Sequence, residues 1–294
     1  MKKLLALLVV CAMVFVQASS VFAFSKEAVS VGFEYGLVEQ DVESTTPIGL
    51  SASITDGTGT IASLGAALTY QVDDVKLEQY LVNAGYTINE YLTPYILLGF
   101  SSLKFHQTLR GSAYTTNFSG ATDLATSGMH DASSFTYGLG MRGKLVTLPA
   151  AINIVYDVRT YRFDTKENTN VALLPSFASL SLPMTSKVEY VAWSAAFIAD
   201  REFVMSKKYL KSVSPYIGYR YTNVAMNIKN GASFSTPIGA STLGIDVTTD
   251  QNTQSDLHSL LLGVTAKITE DVSASLGASF FGEQGIAAKV MYSF

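Results

Sequence analysis

The chain has 294 residues, a formal net charge of −4, 48% hydrophobic residues and only 15% charged ones. The acidic balance argues against nucleic acid as a partner, and so low a charge content is unusual for a secreted soluble protein.

Lys2 and Lys3 precede an apolar run over 4–16, and Val21-Phe22-Ala23 carries small residues at the first and third positions of a cleavage site. This reads as a secretory signal peptide over 1–23, cut after Ala23. The apolar run is short of the roughly 20 residues a spanning helix needs. Cys11 follows Val10 rather than a small residue, which speaks against a lipoprotein site. Cleavage would remove Cys11 and two lysines, leaving 24–294 as one domain without thiol chemistry at a net charge of −6.

No later stretch is apolar for long enough to span as a helix, yet the mean hydropathy is positive. A β-barrel resolves this, because lipid-facing residues alternate with lumen-facing ones. The alternation begins at "AVSVGFEYGLV", with Val29, Val31, Phe33, Tyr35 and Leu37 outward and Glu34 inward. Tyr80, Val82, Ala84, Tyr86 and Ile88 form the next apolar face. "YILLGFSSLKF" (95–105) is apolar on both faces. Phe135, Tyr137, Leu139 and Met141 point out against Arg142 and Lys144; Ile152, Ile154, Tyr156 and Val158 point out against Asp157 and Arg159. Val191, Trp193, Ala195 and Phe197 follow, then Ile217, Tyr219 and Tyr221 opposite Arg220. Leu260 to Ile268 and Val272 to Phe280 alternate in the same way, and Ile286 to Phe294 closes the chain with Lys289 inward. About ten such segments predict an all-β fold: a closed antiparallel transmembrane β-barrel of ten strands.

The links 89–94, 146–150 and 269–271 are short, and 207–215 is longer. On the opposite end, 39–75, 106–133, 164–185 and 229–253 are long, with only 282–285 short. That pattern predicts long extracellular loops, short periplasmic turns and both termini in the periplasm. The first long link holds a candidate hairpin about Asp56-Gly57, which would make twelve strands if it entered the membrane. "YLTPYILLG" and "SVSPYIGYR" share a Pro-Tyr at a periplasmic strand start, where the Tyr ring is expected at the lipid interface. Gly32-Phe33-Glu34-Tyr35 and Gly218-Tyr219-Arg220-Tyr221 read equally as an old duplication or as chance in a biased composition.

The ending "VMYSF" resembles the C-terminal signature of bacterial outer-membrane β-barrel proteins. The resemblance implies an assembly signal at Phe294, Tyr292, Val290 and Ala288, read by the barrel-assembly machinery in the outer membrane of a Gram-negative-type bacterium. It implies outer-membrane lipid as a further partner and names no narrower family.

No metal or cofactor is expected. The three histidines, His106, His130 and His258, form no spaced ligand set, and no phosphate loop, CxxC or GxSxG occurs. Asp256-x-His258 loosely resembles the Asp-His pair of omptin proteases. The only adjacent acids available opposite, Asp73-Asp74, would point to different faces of a strand. His258 is followed directly by Ser259, so the His-x-Ser spacing of barrel lipid hydrolases is absent. The inward charges Glu34, Arg142, Asp157, Arg159, Arg220 and Lys289 are expected as a lumen network, with Glu34 meeting Arg220 or Arg142. The functional expectation is a non-enzymatic outer-membrane barrel with a largely plugged lumen. Its loops would make structural or adhesive contacts, including with an extracellular ligand. A narrow porin-like channel preferring anions is the alternative, since inward cations outnumber inward anions. An omptin-like protease is a third reading.

Overall fold

The computed structural model describes residues 29–40, 42, 44–56, 59–115, 122–173, 180–207, 209–238 and 241–294. The expected signal peptide lies outside the described residues. Among the described residues twelve strands occur: β1 (Val29–Gln40), β2 (Ser44–Asp56), β3 (Gly59–Tyr86), β4 (Thr93–Thr115), β5 (Thr122–Leu148), β6 (Ile152–Leu173), β7 (Leu180–Arg201), β8 (Phe203–Lys207), β9 (Leu210–Ile238), β10 (Ser241–Lys267), β11 (Val272–Phe281) and β12 (Glu283–Ser293). All of them except β2 and β8 close an antiparallel barrel of ten strands. The last strand meets the first in unbroken register from Ser30↔Ser293 to Gln40↔Glu283. β8 pairs only with the start of β9, inside the longer link 207–215.

The outer wall shows why these residues sit in lipid. Outward residues over one band are apolar or aromatic, among them Leu98, Phe100, Tyr137, Leu139, Phe197, Ile217 and Leu262. Above the band, outward charges appear on successive strands and pair: Lys76 with Glu39 at 2.7 Å, Lys104 with Asp131 at 2.8 Å, Arg162 with Glu189 at 2.6 Å. Below it, Lys144 pairs with Glu90 at 2.5 Å, and Glu270 with Lys211 and Lys267 at 3.4 Å each. Between the two charged rims each strand presents about four outward residues, enough at the usual strand tilt for an apolar band about 25 Å tall.

The expectation of long extracellular loops is corrected. Most of those segments are strand, and the β9–β10 ladder alone runs from Ser212↔Lys267 to Ile238↔Ser241. Above the lipid nothing requires an apolar outer face, so the hydropathy alternation fades while the backbone ladder continues. Ser/Thr/Gly-rich sequence there looked like loop for that reason.

The candidate hairpin is β2 with the upper part of β3, and it stays above the lipid. β2 pairs with β3 from Ser44↔Val72 upward and with β10 from Asp246↔Ser51 to Thr242↔Thr55. It thereby stands where β1, β12 and β11 have ended. The wall narrows from ten strands to an eight-stranded sheet (β2, β3, β4, β5, β6, β7, β9 and β10), joined through β2–β10 and unpaired between β5 and β6 above Thr136↔Phe163. β3 changes partner at a bulge between Asp73 and Lys76, where Asp74 takes φ 51. The extra residue switches the inward set from Tyr70 and Val72 to Val75 and Leu77, so both halves of the strand fill the lumen.

Candidate functional site: the barrel lumen

An eight-stranded interior is just wide enough for side chains to fill. At the narrowing, inward residues from nearly every wall form one apolar cluster: Val72, Val75 and Leu77; Leu103 and Phe105; Tyr161 and Phe163; Val188 and Tyr190; Val224, Met226 and Ile228; and Leu257. Val42 enters it from the segment after β1. Tyr190 stacks on Phe163 with ring centroids 4.7 Å apart and planes at 15°. Most of these side chains are 0–1% exposed. The sequence reading missed this plug: Val42, Val72 and Val75 fall in the link 39–75, and the other residues sit at the upper ends of the segments read as strands, where their inward side was not read as apolar.

A buried polar layer lies directly beneath. Tyr190 donates to Gln40 Oε1 at 3.0 Å, and Gln40 donates to Glu283 at 3.3 Å. Glu283 also accepts from Thr222 at 3.0 Å and pairs with Arg220 at 2.9 Å. Arg220 is therefore not the partner of Glu34. Glu34 meets Arg159 at 2.6 Å, with Lys289 at 3.9 Å. Arg142 does not reach Glu34 either: it donates to Ser30 at 3.2 Å and packs on the Tyr95 ring. Asp157 accepts from Tyr95 at 2.5 Å. Tilt and stagger decide these heights, and residue counting along two separate strands does not capture them.

Two further expectations about charge change. Lys144 leaves the lumen for Glu90 in the turn between β3 and β4. Glu283 and Asp200 join the inward acids; Asp200 accepts from Asn153 at 3.1 Å and lines the cavity below the plug. Glu34, Asp157, Asp200 and Glu283 then balance Arg142, Arg159, Arg220 and Lys289 among the described residues, which removes the basis for an anion preference. Glu283 was legible: it continues the odd-numbered inward set of β12 by one step.

The cavity measures about 340 Å³ and is lined by Glu34, Asp157, Arg159, Tyr216, Arg220 and Lys289 among others. Of Tyr95 and Tyr216, the residues after the two repeated prolines, Tyr216 lines it and Tyr95 bonds Asp157 of its wall. They point into the lumen, not to the lipid interface as expected. Each lies over glycine: a Cβ at Gly140 would collide with the Tyr95 ring, and one at Gly263 or Gly277 with the Tyr216 hydroxyl. The outward neighbours Pro94 and Pro215 fix that parity.

The expected assembly residues Val290, Tyr292 and Phe294 lie on the outer face of the closing strand, with Ala288 half-covered. Phe294 N–H bonds to the Val29 carbonyl at 2.9 Å, tying the chain's end to the first strand. A ten-stranded closed wall, an apolar belt between charged rims and a lumen-facing polar set now stand together.

The chain has the fold of the bacterial outer-membrane β-barrels.

Solved structures similar to it include the β domain of the Bordetella autotransporter BrkA, at 12% identity, covering 91% of this chain and 100% of that one with a TM-score of 0.41. The outer membrane protease OmpT from Escherichia coli matches at 7% identity over 93% of this chain and 99% of that one, TM-score 0.37. OprG from Pseudomonas aeruginosa matches at 12% identity over 90% and 96%, TM-score 0.28. No family model and no curated protein matches the sequence.

On this barrel Asp256 and His258 occupy even-numbered, outward positions of β10. Asp256 accepts from Tyr221 at 2.6 Å and Asn223 at 2.7 Å, and His258 bonds the Tyr219 hydroxyl. They belong to the upper aromatic girdle with Trp193, away from the barrel mouth. His130 is instead inward and fully buried, stacked on Phe105 and within 3.1 Å of both Thr165 and Glu167. Burial pushes its imidazole down to about 4, opposed by the Asp131 charge. It sits where the β5–β6 ladder, last paired at Thr136↔Phe163, has ended. No group of three metal-ligating side chains occurs among the described residues.

Proposed function

We propose that this protein is a sealed, non-enzymatic outer-membrane barrel that acts through the rigid β-wall it raises above the lipid, making structural or adhesive contacts at the cell surface. The single observation that carries this reading is the apolar plug at the ten-to-eight narrowing. A conducting channel would expose its lining to water, whereas Leu77, Leu103, Val188 and Met226 are 0–1% exposed. The charged cavity below the plug is a blind vestibule on this reading, and its ion pairs are structural. The export signal over 1–23, the assembly signal ending at Phe294 and the extracellular position of the long-strand end complete the proposal.

Single-channel recording of the refolded protein in planar bilayers is the test. The expected result is a silent membrane at protein loads that give clear steps with a porin. Reproducible unitary steps would overturn the sealed reading in favour of the channel. Protease added to intact cells should cut within the β4–β5 hairpin end over 112–131 and spare the β3–β4 turn over 89–94; the reverse pattern would invert the orientation.

A further inference from the structure

The Arg159–Glu34 pair, at 2.6 Å, crosses the lumen from β6 to β1 and divides it. On the β3–β5 side the space is full. Asn83 is completely buried there, and the Arg142 guanidinium lies over the buried Tyr95 ring. On the β7–β12 side the inward positions are small: Ala196 on β7, Gly218 on β9, Gly263 on β10, Gly277 on β11 and Ala287 on β12. Tyr216 lies over two of those glycines, and the rest of the space stays open as the cavity of about 340 Å³. Pockets that hold small organic ligands span about 300–1,000 Å³, so this one suits a small member of that class.

The lining says which one. Glu34, Asp157 and Asp200 face Arg159, Arg220 and Lys289 around the cavity, so the two signs balance. A ligand of net charge would leave an uncompensated charge in this shielded space, whereas one that carries both signs keeps the balance. Arg159 and Arg220 are engaged, with Glu34 at 2.6 Å and Glu283 at 2.9 Å. Lys289 is not. Its one carboxylate within reach among the described residues is Glu34 at 3.9 Å, beyond hydrogen-bond length, and Arg159 already holds that group. An ammonium has three donors to place. On another wall of the cavity Asp200 accepts from Asn153 at 3.1 Å, and a carboxylate has lone pairs for further donors. Val155, Ile198 and Leu261 supply an aliphatic face. A cationic anchor, an anionic anchor and an aliphatic face around one small cavity match an α-amino acid with an apolar side chain.

We propose that the cavity binds a zwitterionic α-amino acid, with its carboxylate on Lys289, its ammonium on Asp200 and its apolar side chain against Val155, Ile198 and Leu261. With the plug above it the cavity is a pocket and not a passage, so the assignment rests on the sealed reading. L-leucine is the probe, titrated by calorimetry against the refolded protein in detergent. Isocaproate, which lacks the amino group, and isoamylamine, which lacks the carboxylate, are titrated beside it. Leucine should bind saturably and each analogue more weakly by about tenfold or more, the cost of losing a hydrogen bond to a charged group. Lys289→Met keeps the stem and the Arg159–Glu34 pair. It should weaken leucine by the same factor and leave isoamylamine unchanged, because that analogue has no carboxylate to lose; a purely structural role would move both together. Ala287→Leu fills the space without touching a charge and should abolish binding of all three compounds. Folding of each variant is read by heat-modifiable migration. Equal binding of the three compounds, or leucine binding unchanged in both variants, overturns the site. Planar-bilayer recording separates the two readings. Silent bilayers without saturable leucine binding overturn the pocket and leave the sealed reading standing, whereas unitary steps overturn the sealed reading and the pocket with it.

Discussion

Replacing Phe163 with Ala tests the plug directly. The ring is 1% exposed and stacks face to face on Tyr190. Its removal loses the transfer energy of the ring and leaves a void that neighbours anchored on other strands cannot close. A substitution of this kind costs about 3–5 kcal/mol, of which the lost ring pair accounts for about 0.5–1.5 kcal/mol. The unfolding constant should rise by roughly two to four orders of magnitude. The assay is urea unfolding of the vesicle-inserted barrel, followed by the fluorescence of Trp193. That residue is the only Trp of the chain and faces outward beside Tyr221, so its emission reports insertion. Planar-bilayer recordings of the variant should stay silent, because one missing ring opens a void and not a through path. A loss below about 1 kcal/mol would mean that water already reaches Phe163. The lumen would then be wet at the narrowing, and the sealed reading would fail with it.

Glu34→Ala should leave the membrane silent, since the plug lies above the network. It should still cost about 3 kcal/mol by stranding Arg159 and Lys289, less if the vestibule is well hydrated; conductance steps in this variant would show that the ion pairs, not the plug, close the lumen. Gly277→Val should displace the Tyr216 ring and lower the urea midpoint, whereas Gly36→Ala, where an added Cβ meets nothing within 4 Å, should change it far less; equal effects would refute the tyrosine-over-glycine packing. His130 is held neutral by burial, so the fold must be charged against that burial as pH falls. Stability should be level above about 6.5, decline between about 6.5 and 4, and lose that decline in His130→Gln; a stabilisation over the same window would show that Glu167 dominates the imidazole. Deleting Phe294 should reduce heat-modifiable barrel in outer-membrane fractions without reducing export, and equal yields from both forms would remove the end residue from the assembly signal.

Within the lipid, the sequence by itself determined the architecture. A bilayer demands an apolar outer face, so the two-residue alternation at Phe135 to Met141 or Ile286 to Phe294 could be read without coordinates. It correctly gave the ten crossing strands and the inward side of Glu34, Arg159 and Lys289. Above the lipid that demand ends, and the alternation no longer marks strands. The upper parts of β4, β9 and β10 were therefore taken for loops, and β2 with the upper part of β3, which carries Tyr70 of the plug, was legible only as a candidate hairpin. Partner identity was likewise a tertiary matter. Glu34 meets Arg159 and not Arg220 because strand stagger sets their relative heights. Alternation fixes which side of a wall a residue faces; closure, tilt and stagger decide what stands opposite it.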